Sequence, residues 1–352
     1  MRKQTRVVKV GNVLIGGDNP ISIQSMTNTS SKDITATANQ INELTKCGCD
    51  IARIAILDME DALSVKEIKS KISIPLVCDI HFDYRLALVC IENGCDKLRI
   101  NPGNIGSIEN TKKVVDKCKE YGIPIRIGVN AGSLEKEYKE LYGVSAKAMV
   151  ESAKNHIKIL EDLNFYDIVV SLKASSIDMC LEAYKLASES FDYPLHIGIT
   201  EAGTLLSGTI KSTIGLTELI KSGIGDTLRV SLSTDPIYEV RVAKEILAAL
   251  NLYKKPNLIS CPTCGRCQYN MFNIVNEIES FLDCISAPIT VAIMGCAVNG
   301  PGEASHADIG IAGGKNEALL FKNGQIIRKI KEKNIISEFK EEILKTIKEK
   351  KL

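Results

Sequence analysis

The residues with the greatest chemical potential lie toward the C-terminal end of the chain. CPTCGRC sets Cys261, Cys264 and Cys267 in a C-x2-C-x2-C run. Cys296 follows in GCAVNGPGE, with Glu303 seven positions further on. A tight turn presenting thiolates at that interval has metal-ligand spacing. A zinc ribbon needs a second C-x-x-C elsewhere, and the chain has none. A thioredoxin-type dithiol would leave Cys296 and the Gly-rich loop around it unexplained. The spacing therefore favours an iron–sulfur cluster. Its candidate ligands are Cys261, Cys264 and Cys296, joined by either Cys267 or Glu303.

A second set of residues is basic. Arg53, Arg99, Arg126 and Arg229 each sit inside a short apolar run, and Lys173 lies near the end of another. Side chains alternate faces along a strand, so residues two apart share a face. That parity groups Asp79 with His81, Arg99 with Asn101, and Arg126 with Asn130. It also groups Ser171 with Lys173, His196 with Thr200, and Arg229 with Ser231. One arginine buried in an apolar strand needs a partner and is usually a structural ion pair. Four of them plus a lysine near one rim point instead to a highly anionic ligand such as a diphosphate, whose oxygens match the guanidinium fork. Glu201, in TEAG, reads as a proton donor, a ligand-hydroxyl acceptor or a countercharge to the arginines.

These residues need a scaffold that aims them at one place. ISIQSM (21–26), IARIAI (51–56), PLVCDIH (75–81), KLRINP (97–102), PIRIGVN (124–130), DIVVSLKA (167–174), PLHIGIT (194–200) and TLRVSLS (227–233) are eight Ile/Val-rich runs. Segments of helical periodicity separate them, for example TATANQINELTKCG (35–48), with Ile41, Leu44 and Thr45 on one face and Gly48 as a stop signal. Eight strand–helix units predict an α/β fold, a (β/α)8 TIM barrel, over residues 1–254. No GxGxxG follows the first run, which disfavours a Rossmann sheet. In such a barrel the C-terminal ends of the strands build the site, and there the basic residues fall.

Lys254-Lys255-Pro256 reads as a linker. Beyond it the pattern predicts a smaller α+β domain over 255–352: a helix at 269–283, strands at 288–295 and 307–314, and a hairpin at 317–330 turning on Asn323-Gly324. A final Lys/Glu-rich helix at about 337–350 is expected to present a solvated face.

Composition removes other classes. Lys+Arg 44 against Asp+Glu 43 leaves a net charge of +1, which argues against a protein built to coat nucleic acid or a membrane surface. The N-terminus lacks an apolar core of signal-peptide length, and no run approaches the roughly 20 apolar residues of a membrane span. A cytoplasmic chain with reduced thiols is expected. Of the 12 cysteines, Cys47, Cys49, Cys78, Cys90, Cys95, Cys118, Cys180 and Cys284 read as small core residues.

CPTCGRC followed by GCAVNGPGEASHADIGIAGG resembles the iron–sulfur domain of the 4-hydroxy-3-methylbut-2-enyl-diphosphate synthase family, of the methylerythritol phosphate route to isoprenoids. SIQSMTNT, IARIAI, DIHFDYRLAL, LRINPGNIG, RIGVNAGSLE, SLKAS, HIGITEAG and GDTLRVSLSTDP resemble blocks of the same family in the same order, so the likeness covers nearly the whole chain. It implies the bacterial two-domain form and a [4Fe–4S] cluster on Cys261, Cys264, Cys296 and Glu303. Cys267 is then an extra thiol beside the cluster. It implies reductive opening of 2-C-methyl-D-erythritol 2,4-cyclodiphosphate to 4-hydroxy-3-methylbut-2-enyl diphosphate by two one-electron transfers. Arg53, Arg99, Arg126, Lys173 and Ser231 would bind the diphosphate, supported by His81, Asn101, Asn130 and Arg229. Glu201 would handle a proton or orient a hydroxyl, and Glu303 is a catalytic candidate as well as a ligand. Reduced flavodoxin or ferredoxin is the implied electron donor. The implied assembly is a head-to-tail homodimer that brings one subunit's cluster to the other's barrel.

Two rivals are a barrel of the dihydropteroate-synthase or corrinoid-methyltransferase kind, which leaves the late cysteines unexplained, and a zinc-stabilised binding protein. Anaerobic purification separates them: the protein should be coloured and contain iron and acid-labile sulfide. A colourless protein with stoichiometric zinc and no sulfide, even after anaerobic reconstitution, would overturn the iron–sulfur reading.

Overall fold

The structure is a computed structural model that describes residues 2–351 apart from 284, 286, 297–301 and 303. The chain divides into two compact units, Met1–Leu252 and Tyr253–Leu352. No helix among the described residues is long and apolar enough to cross a membrane.

The first unit opens with a hairpin of β1 (Val8–Val10) and β2 (Val13–Ile15). The barrel strands follow: β3 (Ser22–Met26), β4 (Ile51–Ile56), β5 (Leu76–Ile80), β6 (Lys97–Arg99), β7 (Ile125–Asn130), β8 (Ile168–Lys173), β9 (His196–Ile197) and β10 (Thr227–Leu228). They form one parallel sheet in the order β8-β7-β6-β5-β4-β3-β10-β9. Val170 closes the ring, donating to the Pro194 carbonyl at 2.9 Å and bridging to Leu195. All eight runs read from the sequence are strands. The last two ladders, His196–Ile197 and Thr227–Leu228, are shorter than their runs, although Arg229 N–H still donates to the Ile197 carbonyl at 3.0 Å. The N-terminal hairpin has no counterpart in the sequence reading, since three-residue strands carry almost no period. Val10 and Ile15 pack on Ile51 and Val77, near the N-terminal ends of β4 and β5, and so cover the barrel floor.

Capping side chains start the surrounding helices where the barrel needs them. Asp33 caps α1 (Ile34–Lys46), Asp58 caps α2 (Met59–Ser70), Ser107 caps α4 (Ile108–Tyr121) and Ser176 caps α7 (Ile177–Ser190), each accepting a backbone N–H in the first turn. Tyr84–Glu92 forms α3, Lys136–Tyr142 α5, Ala146–Asp162 α6, Leu205–Lys221 α8 and Pro236–Ala249 α9. On α1, Ile41 and Leu44 are buried as expected, and Gly48 beyond it takes a φ of 97°. Cys49, Cys78, Cys90, Cys95, Cys118 and Cys180 are buried and Cys47 partly so. Cys284 lies outside the described residues.

The second unit is a five-stranded sheet in the order β11 (Asn257–Ser260), β12 (Thr290–Met294), β13 (Ile309–Gly314), β14 (Glu317–Lys322) and β15 (Gln325–Lys331). The first three strands are parallel and the last two antiparallel. Asn323 and Gly324 both have positive φ, 47° and 78°, as the hairpin turn demands. Helices α10 (Met271–Leu282) and α11 (Ile335–Lys350) cover the sheet through Ile274, Ile278, Phe339 and Ile343. The sequence suggested a solvated charged face on α11, but part of that face is paired to the sheet. Lys322 pairs with Glu342 at 3.2 Å, and Arg328 pairs with Glu338, so the helix is tied to β14 and β15.

A buried latch joins two loops above the barrel. Gly103 N–H donates to His156 Nδ1 at 3.2 Å, leaving Nε2 to donate to Glu135 Oε1 at 2.8 Å. Ser152 Oγ donates to the other Glu135 oxygen at 2.7 Å. Burial alone would raise the Glu135 pKa, but the His156 and Ser152 hydrogen bonds outweigh it and hold it at about 2. A lowered native pKa adds stability that is present above the unfolded carboxylate value, near 4.5, and is lost as pH falls toward 2. Thermal melts between pH 5 and about 2 should therefore show a shallower acid decline for Glu135→Gln than for the wild type. Parallel curves would show that the latch contributes nothing.

Candidate active site

Arg53, Asp79, His81, Arg99, Arg126, Asn130, Ser171, Lys173, Thr200, Arg229 and Ser231 line one pocket in the barrel mouth. Parallel strands place them there: register pairs Arg53 with Val77, Asp79 with Arg99, Arg99 with Arg126, and Asn130 with Lys173. Each strand aims alternate residues inward, and the right-handed crossovers set all the carboxyl ends at one face.

Five cations converge on this pocket, and two carboxylates answer them. Asp79 lies 3.8 Å from Arg53 and 3.3 Å from Arg99. Burial would raise its pKa, but Arg53 and Arg99 outweigh that and hold it below the ordinary range. Glu239, on α9, takes Arg229 bidentately, with both contacts at 3.1 Å. It also accepts from Ser25 Oγ and Leu232 N–H, which leaves it fully engaged. Arg126 is 1% exposed and, among the described residues, hydrogen-bonds only to Ser171 Oγ, at 3.1 Å; its Nε and one terminal nitrogen are buried with no hydrogen-bond partner among them. Burial, then Arg53 and Arg99, push the Arg126 pKa well down. Burial likewise lowers Arg53, to about 10, and burial followed by Arg126, Arg229 and Arg53 lowers Lys173. The pocket holds more positive than negative charge, and two Arg126 nitrogens meet no acceptor among the described residues, which is the condition a diphosphate relieves.

Two glycines make room for the cations. A methyl group on Gly128 would lie 2.5 Å from Arg99 Nε, and one on Gly198 would lie 2.5 Å from the Arg229 carbonyl and 2.8 Å from Lys173 Nζ. Arg99 uses the opening to donate to the Gly128 carbonyl at 2.9 Å.

Most residues expected at the site come together, with three differences. Asn101 does not line the pocket: its amide accepts from Gly128 N–H and donates to Gly128 C=O, so it holds the β6–β7 rim. His81 is largely exposed and meets Arg99 at 3.0 Å from the rim. Glu201 is absent from the cation-lined pocket. It has a φ of 51° and faces an adjoining cavity of about 530 Å³ with Ser133, Lys139, Ser175 and Met179; Asn130 and Thr200 border both spaces. No ion pair among the described residues joins Glu201 to the arginines. Asp79 and Glu239 hold that role. Asp79 was discoverable by its parity with His81. Glu239 sits on a helix far along the chain from Ser25, and no local pattern marks it.

The cysteines stand at the C-terminal ends of two adjacent parallel strands. Ser260 pairs with Ile293, and Cys261 N–H donates to the Ile293 carbonyl at 3.1 Å. Cys267 N–H donates to Cys264 C=O at 3.0 Å and closes the turn. A methyl on Gly295 would lie 3.5 Å from Cys261 Sγ and 3.6 Å from Cys267 Cβ, so both side chains stand against the residue that precedes Cys296. Cys264 is exposed, and Cys261, Cys267 and Cys296 are half-buried. Among the described residues no three potential ligands converge on a single ion. A polynuclear cluster does not need that convergence, since each ligand binds its own iron. Soft cysteine sulfurs gathered at two adjacent strand ends, with Cys261 and Cys267 against Gly295, fit such a cluster. Glu303 lies outside the described residues.

A barrel with a cationic mouth, followed by a cysteine-bearing α+β unit, defines a two-part barrel enzyme for an anionic substrate. Residues 5–244 match the GcpE TIM-barrel domain, and residues 257–345 match the GcpE protein C-terminal domain. The chain belongs to the GcpE family. A relative from Caldanaerobacter subterraneus subsp. tengcongensis, 4-hydroxy-3-methylbut-2-en-1-yl diphosphate synthase (flavodoxin), is 58% identical over 99% of both chains. A relative of the same name from Ruminiclostridium cellulolyticum is 56% identical over 97% of this chain and 98% of its own. Among solved structures, Yersinia pestis dihydropteroate synthase matches 70% of this chain and 98% of its own, with a TM-score of 0.51 and 11% identity. That likeness is one of fold alone.

The glycine opening can be tested directly. Gly128→Ala should force Arg99 aside and weaken pyrophosphate binding about tenfold, with an unchanged circular dichroism spectrum, as expected for loss of a charged hydrogen bond. Undiminished binding would show that Arg99 does not need the space.

Proposed function

We propose that this chain, in the cytoplasm, converts 2-C-methyl-D-erythritol 2,4-cyclodiphosphate to 4-hydroxy-3-methylbut-2-enyl diphosphate, the reaction for which its relatives are named. The observation that carries the reading is Arg126, buried in a mouth of five cations with two guanidinium nitrogens that lack partners among the described residues. Two electrons and two protons are consumed, the cyclic diphosphate opens, and water leaves. Reduced flavodoxin, the donor in the relatives' names, or a ferredoxin supplies the electrons.

Members of this family are iron–sulfur proteins. The finer assignment is a [4Fe–4S] cluster held by Cys261, Cys264, Cys296 and Glu303, with Cys267 beside it. When bound, the cluster supplies electrons one at a time and a Lewis-acidic iron. The remaining work falls to the barrel. Arg53, Arg99, Arg126, Lys173 and Ser231 grip the diphosphate, and Arg229, Asn130 and His81 border it. Asn101 keeps the rim in place through Gly128. The cationic mouth stabilises the charge that develops on the diphosphate oxygen as its bond to carbon breaks. Glu201, on a turn beside Thr200, is placed to exchange a proton with the carbon portion of the substrate from the adjoining cavity. The first unit is thus the substrate domain and the second the cluster domain.

The active assembly in this proposal is a head-to-tail homodimer, with each site shared between copies. Verified mixed dimers of a Glu201→Ala subunit and a Cys296→Ser subunit should regain turnover of the cyclodiphosphate, with a chemical reductant, at one of two sites. No recovery would count against sharing. Retained turnover in Arg126→Met would count against the pocket itself.

A further inference from the structure

His196 begins β9, fully buried beneath the mouth. Its ring is engaged on both sides. Thr227 Oγ1 donates to the Ser22 carbonyl at 3.1 Å. A carbonyl only accepts, so the Thr227 oxygen accepts from its other neighbour, His196 Nδ1, at 3.4 Å. Nδ1 therefore carries the hydrogen, and Nε2 presents its lone pair. Lys173 Nζ stands 3.4 Å from Nε2. The donors thus run in one direction, from Lys173 through His196 and Thr227 to the backbone of Ser22. Tyr184 holds this arrangement from behind by donating to the His196 carbonyl at 2.7 Å. Burial, followed by the charges of Lys173, Arg126, Lys97 and Arg53, keeps the imidazole far below its ordinary pKa, so Nε2 stays an acceptor. Gly198, just past the end of β9, leaves room for the lysine: a methyl group there would lie 2.8 Å from Lys173 Nζ as well as 2.5 Å from the Arg229 carbonyl.

We propose that His196 is a positioning residue for the diphosphate: it accepts one N–H of Lys173 and so directs the remaining N–H groups of that amine into the pocket. A lysine is a flexible point charge on a four-carbon stem, and it loses rotamer freedom when a ligand immobilises it. A fixed acceptor beneath Nζ imposes that order before the ligand arrives. The inference rests on the reading that the barrel mouth binds the diphosphate.

The test measures binding of the cyclodiphosphate to full-length, cluster-loaded protein by calorimetry, alongside KM and kcat. His196→Phe should weaken binding about ten- to a hundredfold, as expected for loss of a hydrogen bond to a charged group. His196→Gln, whose amide oxygen reaches the Nε2 position, should restore most of it. His196→Asn keeps a donor toward Thr227 but no acceptor toward Lys173, so it should bind as poorly as the phenylalanine variant. It also serves where His196→Phe fails to fold. In a Lys173→Met background, His196→Asn should change binding less than about twofold, because the residue it acts through is gone. Losses that multiply in the double variant, or wild-type binding by His196→Asn, would overturn the inference and leave His196 a packing residue. Full binding by Lys173→Met alone would overturn the barrel-mouth reading itself.

Discussion

The barrel mouth is organised around mutual repulsion. Five cations line a pocket with one carboxylate, Asp79, while Glu239, behind Arg229, is spent on Arg229, Ser25 and a backbone amide. Like charges so close gain from separation, so each cation is directed by its own device. Arg99 lies over Gly128, Arg126 on Ser171, Arg53 between Met26 and Asp79, and Lys173 over Gly198 and His196. The pocket is ready for a multiply charged anion at the expense of the empty protein's stability, a trade common at functional sites.

Both units follow the same rule of parallel sheets: the candidate site residues gather beyond the carboxyl ends of the strands. In the barrel the groups come from many strands and meet only because the sheet closes through Val170. In the second unit they come from the short turn after β11 and from the end of β12. Its remaining strands and α11 form an ordinary packed core, and the pairs Lys322–Glu342 and Arg328–Glu338 tie the helix down. The thiolates are therefore set largely by local geometry and the barrel cations by long-range geometry.

Legibility in the sequence followed that division. The eight strand runs were visible because buried parallel strands are continuous in Ile and Val. Parity within each run picked out Arg99, Arg126, Lys173 and Ser231 as residues of one face, Arg53 stood out as a charge in an apolar run, and all five line the mouth. Parity misled at Asn101, whose amide turns to the neighbouring backbone. It could not assign Glu201, which follows the end of its strand run on a left-handed turn where period-2 alternation no longer holds. The hairpin over the barrel floor escaped notice because two strands of three residues are too short to show a period.

By itself the sequence determined the two-part organisation, the strand–helix alternation, the concentration of arginine at strand ends and the cysteine spacing. These are properties of neighbours along the chain, where hydrophobic period and turn chemistry act. The tertiary structure alone decided which carboxylates answer the cations, where Glu201 faces, why residues 128 and 198 are glycine, and which way the hydrogens run from Lys173 to Ser22. Ser22 and Thr227 are 205 positions apart, and Ser25 and Glu239 are 214. Electrostatic and hydrogen-bond partners act over a few ångströms of space, and only closure of the barrel brings such distant residues within that range.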